Sequence, residues 1–131
     1  IPNGHPAIEN RMELLYSEGV EKGRISLNKY VEVTSTNAAK IFGMFPQKGH
    51  IAVGSDADIV LWNPTDTHPV EAATFFTACD YSPFEGWEIT GWPHMTLSRG
   101  EIVYQRNEIL SAPGRGQIIA RKDFSAPAHA S

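Results

Sequence analysis

Residues 48–64 read KGHIAVGSDADIVLWNP, and this stretch decides the fold of the chain. Its β-branched residues predict a short strand at residues 51–53 and a buried strand at residues 59–62, joined by a tight Gly-Ser-Asp corner. Asp56 and Asp58 stand just ahead of the four apolar residues that open the second strand. The stretch therefore marks the point where helical patterning gives way to β patterning.

The segment upstream of this stretch carries helical periodicity. Pro6 suits the first turn of a helix that Gly23 ends. Ser26 is placed to cap a second helix. Residues 34–37 offer caps for a third helix, which Gly43 ends.

Downstream of residue 62 the pattern is that of short strands. A polar loop with Pro64 and Pro69 comes first, followed by an ambiguous segment whose PFEGW reads as a turn. Arg99-Gly100 and Arg106-Asn107 stand where hairpin turns belong. The pattern predicts strands at residues 95–98, 101–104 and 108–110, a candidate strand at 117–120, and a disordered end in SAPAHAS.

The composition is that of a soluble globular domain with a core of its own. Hydrophobic residues make up 41% of the 131 residues and charged residues 20%. A formal net charge of -4 argues against a nucleic-acid or membrane partner. The single cysteine excludes an intrachain disulfide and fits a reducing compartment, so we expect a cytoplasmic protein.

The start of the chain predicts a loop. It reads IPNGHP, without a methionine and without a basic-then-apolar signal segment. No apolar run approaches the length of a membrane span. We therefore expect a fragment, a processed chain, or a chain whose upstream part is missing.

Histidine and cysteine are the first candidates for chemistry. No two histidines form an HxH or HExxH pair or share a helix face at the spacing of metal ligands, so the sequence predicts no metal site. Cys79 has no histidine partner and is predicted to be a buried, inert thiol. The histidines concerned are His5, His50, His68, His94 and His129.

Carboxylates and tryptophans offer weaker candidates. Asp56 and Asp58 resemble a paired-carboxylate site, but a corner favours their capping of backbone N–H groups. Trp62, Trp87 and Trp92 are of a type that lines ligand surfaces, although large aromatics in a small β fold are usually core or interface.

Asn3 is the residue that we expect to contact a ligand. It lies in Pro-Asn-Gly, just ahead of the first predicted helix. Its carboxamide offers a donor and an acceptor, which complements a cyclic imide or ureide with N–H beside C=O. The alternative is that this asparagine only forms a turn.

Several segments in one order carry a resemblance to a known family. The segments are IPNGHPAIENRMELLYSEGV, VEVTSTNAAKIFGMFPQKGHIAVGSDADIVLWNP, DYSPFEGWEITGWP, RGEIVY and PGRGQIIARKDF. Through them the chain resembles the dihydropyrimidinases and D-hydantoinases of the cyclic amidohydrolase superfamily, whose non-enzymatic relatives are the collapsin response mediator proteins.

The resemblance implies a TIM barrel that holds two zinc ions. In the family a carbamylated lysine bridges the ions, histidines and one aspartate complete the site, and a metal-bound hydroxide attacks the ring amide. Those ligands lie upstream of the IPNG segment, so this chain would carry no metal ligand and no catalytic residue. Asn3 matches the family asparagine that contacts the ring amide, and its presence favours an enzyme, because the non-enzymatic relatives typically depart from asparagine there.

The sequence departs from the family pattern at several positions. His5 and Ala7 stand where the family often has Leu and Gly, which puts the shape of the substrate loop in doubt. AATFFTA at residues 72–78 replaces a more polar, His-containing pattern, which puts the packing of this segment in doubt. The basic tail residues resemble subunit-interface residues, with solvated surface residues as the alternative. They are Arg115, Arg121 and Lys122.

We therefore expect an α+β fragment, the C-terminal part of a zinc-dependent cyclic amidohydrolase. Residues 1–47 would be the closing helices of the barrel, 48–111 the C-terminal strands of a small β-sandwich, and 112–131 a tail. The whole enzyme would open dihydropyrimidine or hydantoin rings to N-carbamoyl amino acids and would assemble as a homo-oligomer, a tetramer or a dimer.

Three alternatives remain open. The first is a non-catalytic dihydropyrimidinase-like scaffold that acts through oligomer contacts. The second is a stand-alone sandwich that binds a ligand without hydrolysis. The third is a nearer enzyme, an allantoinase or a dihydroorotase, which would differ in loops that this chain lacks.

Overall fold

Helices come first along the chain and strands second, which confirms the predicted α+β class. The computed structural model describes residues 6–122 of the chain. Its helices are α1 (Arg11–Leu15), the π-helical π1 (Tyr16–Glu21), α2 (Leu27–Val31), the π-helical π2 (Glu32–Thr36), α3 (Asn37–Ile41) and a 3-10 turn (Ala72–Thr74). Its strands are β1 (Ile59–Pro69), β2 (Glu88–Ser98), β3 (Glu101–Gln105) and β4 (Glu108–Ile109), and they form one sheet in the order β1-β2-β3-β4.

The first helix begins later than predicted but ends where predicted. It starts at Arg11, and Pro6 lies in a bend before it. It continues through π1 to Glu21, after which Gly23 has φ 68° and donates its N–H to the Val20 carbonyl at 2.9 Å. Glycine reaches a positive φ at little cost, so it ends the helix there.

The predicted cap of the second helix is confirmed. The Ser26 Oγ accepts a hydrogen bond from the Lys29 N–H at 3.1 Å. Lys29 lies three residues beyond Ser26, so this bond satisfies one of the N–H groups that a helix start leaves without a partner.

We expect Ser26→Ala to lower the free energy of unfolding by about 1 kcal/mol, because the capping acceptor is lost. Urea unfolding followed by circular dichroism measures this loss. Ser26→Asp is the matched control, since aspartate caps a helix equally well. Equal stability of Ser26→Ala and the wild-type protein would show that the cap contributes nothing.

The prediction of a separate third helix is wrong. α2, π2 and α3 follow one another without a break from Leu27 to Ile41. Thr36, one of the predicted caps, donates its hydroxyl to the Gly49 carbonyl at 2.7 Å instead of capping a new helix. Gly43 follows the end of α3 with φ 67°, as predicted. A tertiary partner has therefore taken up the hydroxyl that local sequence would assign to a cap.

The described residues divide into two compact units. One contains the chain up to Tyr30 together with Leu61–His94, and the other contains Val31–Val60 and the chain from Met95 onward. In the first unit Ile89 and Val70 are fully buried. The Trp87 N–H bonds to the Phe84 carbonyl at 3.0 Å, which confirms the turn predicted in PFEGW. The backbone of Val70 pairs with the end of this turn: its N–H bonds to the Trp87 carbonyl and its carbonyl accepts the Gly86 N–H, each at 2.8 Å.

Three aromatic rings form the packed centre of the first unit. Tyr16 lies 5.7 Å from Tyr30 and 5.2 Å from Trp62, measured between ring centroids. Gly91, in β2, faces this cluster with φ 96°, and a Cβ there would lie 2.5 Å from Tyr16 Cε1 and 2.8 Å from Trp62 Nε1. The absence of a side chain at residue 91 thus lets the strand approach the rings.

Two tight turns form the hairpins of the second unit. Arg99 and Gly100 have φ 51° and 80°, and Arg106 and Asn107 have φ 51° and 62°. Positive φ at both central residues is the signature of the turn that matches strand twist in a two-residue hairpin. β2 pairs antiparallel with β3, and a bulge between Thr96 and Leu97 shifts the register of this pair. β3 pairs antiparallel with β4. Both predicted hairpins are confirmed.

The strands ahead of the hairpins differ from the prediction. Residues 51–53 form no strand. The chain turns there, with a hydrogen bond of 3.1 Å from the Ser55 N–H to the Ala52 carbonyl, and the side chains of Ile51 and Val53 are exposed. A β-branched run becomes a strand only where a neighbour pairs with it. The strand predicted at residues 59–62 exists but is not buried, since Val60 is 52% exposed.

Two further strand predictions are corrected. β1 continues through the predicted polar loop to Pro69, because a strand neighbour is available: the Thr67 and Thr90 hydroxyls lie 3.1 Å apart. Tertiary pairing has here overridden the turn preference of Asn, Pro and Asp. The candidate strand at residues 117–120 is irregular in the structure, where Gln117 and Ile118 are exposed rather than paired.

Candidate functional site

The residue predicted to contact substrate, Asn3, lies outside the described residues. The same holds for His5, His129 and the predicted disordered end of the chain. The structure begins three residues after Asn3, at Pro6. What it describes is the chain that follows directly on the predicted substrate loop.

An open apolar depression lies beside this chain in the first unit. Its volume is about 630 Å³. Several of its large apolar side chains are exposed, namely Ile8, Phe76 and Tyr81. Exposed apolar side chains gathered in one concave place are typical of a surface that contacts a ligand or another part of a protein. The lining residues are Pro6, Ile8, Glu9, Phe76, Thr77, Cys79 and Tyr81.

One carboxylate joins the two walls of the depression. Glu9 Oε1 accepts the Phe76 N–H at 2.6 Å, and Glu9 Oε2 accepts the Thr77 N–H at 3.0 Å. Both bonds have an ionisable acceptor, which makes them stronger than bonds between neutral groups. Residues 75–81 form no helix or strand, so these bonds are specific anchors for an otherwise irregular segment.

Cys79 is exposed, so the prediction of a buried thiol is wrong. It lies in the irregular segment that forms one wall of the depression. Cysteine is often buried as a small apolar residue, but burial requires a covering layer, and an open wall supplies none.

Two buried polar residues stand at the start of the first helix. Asn10 is 1% exposed and Glu13 is 6% exposed. Both polar atoms of the Asn10 side chain, and Glu13 Oε2, have no hydrogen-bond partner. Burial raises the pKa of Glu13 to about 7, its own backbone N–H opposes the rise, and the charge of Glu9 adds to it. Burial, with the nearby Glu13 carboxylate, also raises the pKa of Tyr30, whose hydroxyl donates to the Met12 carbonyl at 3.2 Å.

The paired aspartates of the second unit have structural partners. Lys48 Nζ lies 2.8 Å from Asp56 Oδ2 and also bonds to Asp58 Oδ2. Asp58 Oδ1 accepts the Arg99 N–H at 2.8 Å, which confirms a backbone-capping role for one of the two. Asp56 instead accepts a bond from the Gln47 side chain at 3.1 Å.

The charges at this corner shift one another's protonation. Hydrogen bonds from Lys48 and Gln47 hold the pKa of Asp56 below its usual range. Partial burial raises the pKa of Asp58, but the bonds from Lys48 and the Arg99 N–H outweigh it, so the net pKa is lowered. Partial burial lowers the pKa of Lys48, but the hydrogen bonds and charges of the two aspartates outweigh this effect, so the net pKa is raised. Carboxylates held ionised in this way pin the corner to the hairpin and are poorly suited to proton transfer.

The described histidines do not come together. His50 Nδ1 lies 3.3 Å from Ser55 Oγ, His68 pairs with Asp66 at 3.1 Å, and His94 is exposed. Within residues 6–122, no three side chains of His, Cys, Asp or Glu are grouped so that they could hold a metal ion. Nor does any helix of that range combine the length and apolar character that a membrane crossing needs.

The tryptophans divide between core and surface. Trp62 belongs to the aromatic centre, although its buried Nε1 has no hydrogen-bond partner. Trp92 packs against His68 with ring centroids 5.0 Å apart, and Trp87 is half-exposed against Phe84. These ring contacts support a packing role for the tryptophans rather than a ligand surface.

Arg115 is bound within its own unit. It donates to the Ser98 carbonyl and to Glu101 Oε2, each at 2.9 Å. Arg121 and Lys122 are exposed. The Lys122 N–H bonds to the Gly43 carbonyl at 2.9 Å, so the backbone of the tail is anchored there.

Sequence reasoning missed Glu9, Asn10 and Glu13. Glu13 carried a signal, since it lies three residues before the apolar Tyr16 and therefore on the same face of a helix. Glu9 carried none, because its partners lie 67 and 68 residues away and are backbone groups, which have no residue type to recognise.

Known proteins match the chain over nearly all of its length. The family model described as Amidohydrolase family matches residues 4–103. A D-hydantoinase of Geobacillus stearothermophilus is 50% identical over 126 residues, which are 96% of this chain and 27% of that protein. A dihydropyrimidinase of Rattus norvegicus is 46% identical over 125 residues, 95% of this chain and 24% of that protein.

Solved structures agree with these relatives. The crystal structure of dihydropyrimidinase from Brevibacillus agri matches with a TM-score of 0.93 and 51% identity, over 97% of this chain and 28% of that one. This chain therefore spans about a quarter of the length of the relatives that it matches. Since the family model covers more than half of the chain, the chain belongs to the amidohydrolase family, and the resemblance to dihydropyrimidinases and D-hydantoinases is confirmed.

Proposed function

We propose that the chain is the C-terminal part of a cyclic amidohydrolase that opens dihydropyrimidine or hydantoin rings. The reaction adds one water across a ring C–N bond, and the product is an N-carbamoyl amino acid. The similarity to proteins named D-hydantoinase and dihydropyrimidinase, over almost the whole chain, carries this proposal. The scaffold alternative has no such support, because these relatives are named as enzymes.

The parts of the chain follow from the same proposal. Residues 1–47 would close a TIM barrel, residues 48–111 would supply strands to a small β-sandwich, and residues 112–131 would form a tail. The helices of the first part expose apolar side chains, among them Leu27, Val31 and Ile41. Exposed apolar helix faces of this kind favour packing against a further layer of protein.

Asn3 would bind the ring amide of the substrate. A carboxamide donates one hydrogen bond and accepts another, and a cyclic ureide or imide presents the opposite pair. Two such bonds would fix the ring in one orientation and so place the scissile C–N bond.

The zinc ions of the whole enzyme would be held by residues outside this chain. The described residues do not fit such a site, since they present no group of three metal-binding side chains. We therefore assign no step of the reaction at a metal to these residues. Bound zinc would supply the activated water.

The proposed partners and location follow from family and composition. The partner is a small cyclic ureide or imide, and the enzyme would work in the cytoplasm as a homo-oligomer, a tetramer or a dimer. Of the basic tail residues, Arg121 and Lys122 are the ones left to contact a neighbouring subunit, because Arg115 is bound by its own hairpin.

The test is Asn3→Ala in the full-length protein. We expect kcat/KM for hydantoin or dihydrouracil to fall by about 10- to 100-fold, chiefly through KM, because two hydrogen bonds to the ring are lost. Steady-state kinetics of ring opening, followed by ultraviolet absorbance, measures this.

The matched control is Asn28→Ala, which removes a carboxamide from an exposed position of α2. It should leave kcat/KM unchanged. If the wild-type protein opens the ring and Asn3→Ala has the same KM as wild type, Asn3 does not bind the ring. The absence of any ring opening by the full-length wild-type protein would contradict the proposed activity itself.

A further inference from the structure

The Glu9 clamp, defined as the two hydrogen bonds from Phe76 N–H and Thr77 N–H to the Glu9 carboxylate, holds the two walls of the apolar depression together. Glu9 Oε1 and Oε2 accept these bonds at 2.6 and 3.0 Å. Glu9 belongs to the wall that precedes the first helix, and its two partners belong to the other wall. Residues 75–81 form neither helix nor strand, so no ladder of backbone bonds supports that second wall.

The chain directly after Glu9 is buried at a cost in free energy. Asn10 is 1% exposed, and it stands at the N-cap position of α1, but its side chain makes no capping bond. Both polar atoms of this side chain, and Oε2 of the buried Glu13, have no hydrogen-bond partner. Water would bond to these atoms if the segment opened, so the start of the first helix resists opening only weakly.

Glu13 makes the cost of this burial depend on pH, because a carboxylate tolerates burial far less than a neutral carboxyl does. The groups that act on it electrostatically are Glu9, from the turn before the helix, and Tyr30, from α2. Tyr16 follows it by one turn on its own helix and packs against Tyr30. Arg11, the basic residue of α1, is exposed two positions away, on a different face of the helix. Burial, with the charge of Glu9 added, therefore raises the pKa of Glu13 to about 7 against the effect of its own backbone N–H.

We infer that the start of the first helix and residues 76–77 form a pH-sensitive latch, which the Glu9 clamp keeps closed while Glu13 holds its proton. A charge on Glu13 reaches water when the segment around Asn10 leaves the interior, and the Asn10 side chain gains hydrogen bonds in the same step. Glu9 immediately precedes Asn10, so this movement breaks both bonds of the clamp and separates the walls of the depression. The closed form keeps a proton that the open form loses between pH 4.5 and 7, so the latch is closed at acidic pH and opens as the pH rises through this window.

Hydrogen–deuterium exchange of the full-length protein, read at single amides by mass spectrometry, tests the latch, because the protection of an amide measures how rarely it opens. Between pH 5.5 and 7.5 we expect the protection factors of the Phe76 and Thr77 amides to fall about 20-fold in the wild-type protein. In Glu13→Gln they should stay constant, since glutamine has no proton to lose.

Two other amides of the same unit serve as controls. The Thr74 N–H bonds to the Glu71 carbonyl at 3.0 Å in the neighbouring 3-10 turn, without a carboxylate, and its protection factor should not change with pH. The N–H of the fully buried Val70 reports the unfolding of the whole unit. Its protection factor should exceed that of Phe76 at every pH, because the latch opens without global unfolding.

Three results would overturn the inference. The first is a protection factor of Phe76 and Thr77 that does not change with pH in the wild-type protein. The second is an equal fall in Glu13→Gln or at Thr74, since the loosening would then come from another group or from the whole segment. The third is protection equal to that of Val70, because the clamp would then open only when the unit unfolds. If Glu13→Gln does not fold, the wild-type pH series and the comparison with Val70 decide the question.

Discussion

Gly91→Ala is expected to lower the free energy of unfolding by about 3–5 kcal/mol. Two causes add. The backbone has φ 96°, which an L side chain adopts only at a cost, and the new Cβ would lie 2.5 Å from Tyr16 Cε1 and 2.8 Å from Trp62 Nε1. Neither ring can move aside freely, because both Tyr16 and Trp62 also pack against Tyr30. Urea unfolding followed by tryptophan fluorescence measures the loss.

The matched control for this variant is Gly86→Ala. Gly86 lies in the same unit with φ 77°, but nothing lies within 4 Å of a Cβ built there. Gly86→Ala should therefore lower the free energy of unfolding only by the cost of placing an L residue at positive φ, about 1–2 kcal/mol. Equal losses for the two variants would mean that the aromatic cluster relaxes around the added methyl group and that close packing at residue 91 is unimportant.

Glu13 should make the protein less stable as the pH rises from 4.5 to 7. The pKa of this buried carboxyl rises from 4.5 to about 7 on folding, so within this window the folded protein keeps a proton that the unfolded chain has lost. The contribution of Glu13 to the free energy of unfolding is then fully present below pH 4.5. It is lost as the pH rises through 7, and the loss is about 3 kcal/mol. Asp56 and Asp58 do not disturb the window, because their lowered pKa values place their effect at more acidic pH.

Glu13→Gln should remove this dependence. Glutamine has nearly the same shape and no charge, so we expect the variant to match wild type at pH 4.5 and to exceed its unfolding free energy by about 3 kcal/mol at pH 8. Urea unfolding at several pH values measures both curves. Glu21→Gln, at an exposed position of the same helix, is the control and should follow the wild-type curve. A wild-type curve that is flat from pH 4.5 to 8 would contradict a buried, protonated Glu13.

Local signals predicted the turns and ends of elements well. Gly23, Gly43 and the two hairpin turns lie where the sequence placed them, because positive φ is a property of one or two residues and glycine or asparagine supplies it cheaply. The Ser26 cap was equally local, since donor and acceptor are three residues apart.

Long-range pairing explains the errors. β1 runs on to Pro69 through residues with poor strand preference because a neighbouring strand is present, whereas residues 51–53 have good preference and form none. The Thr36 hydroxyl, which the local sequence would assign to a helix cap, instead donates to the carbonyl of the distant Gly49. Each choice depends on a partner that a local pattern does not contain.

Sequence by itself determined the order of helices and strands, the hairpins, the family and Asn3 as the predicted substrate contact. Each of these depends on residue type at short range or on the order of whole segments. Only the tertiary structure brought Glu9 to the backbone of Phe76 and Thr77, buried Glu13 near Tyr30 and left Cys79 exposed. The reason is physical: hydrogen bonds to backbone groups and the burial of a charge depend on where the chain returns in space, and residue type alone does not specify that return.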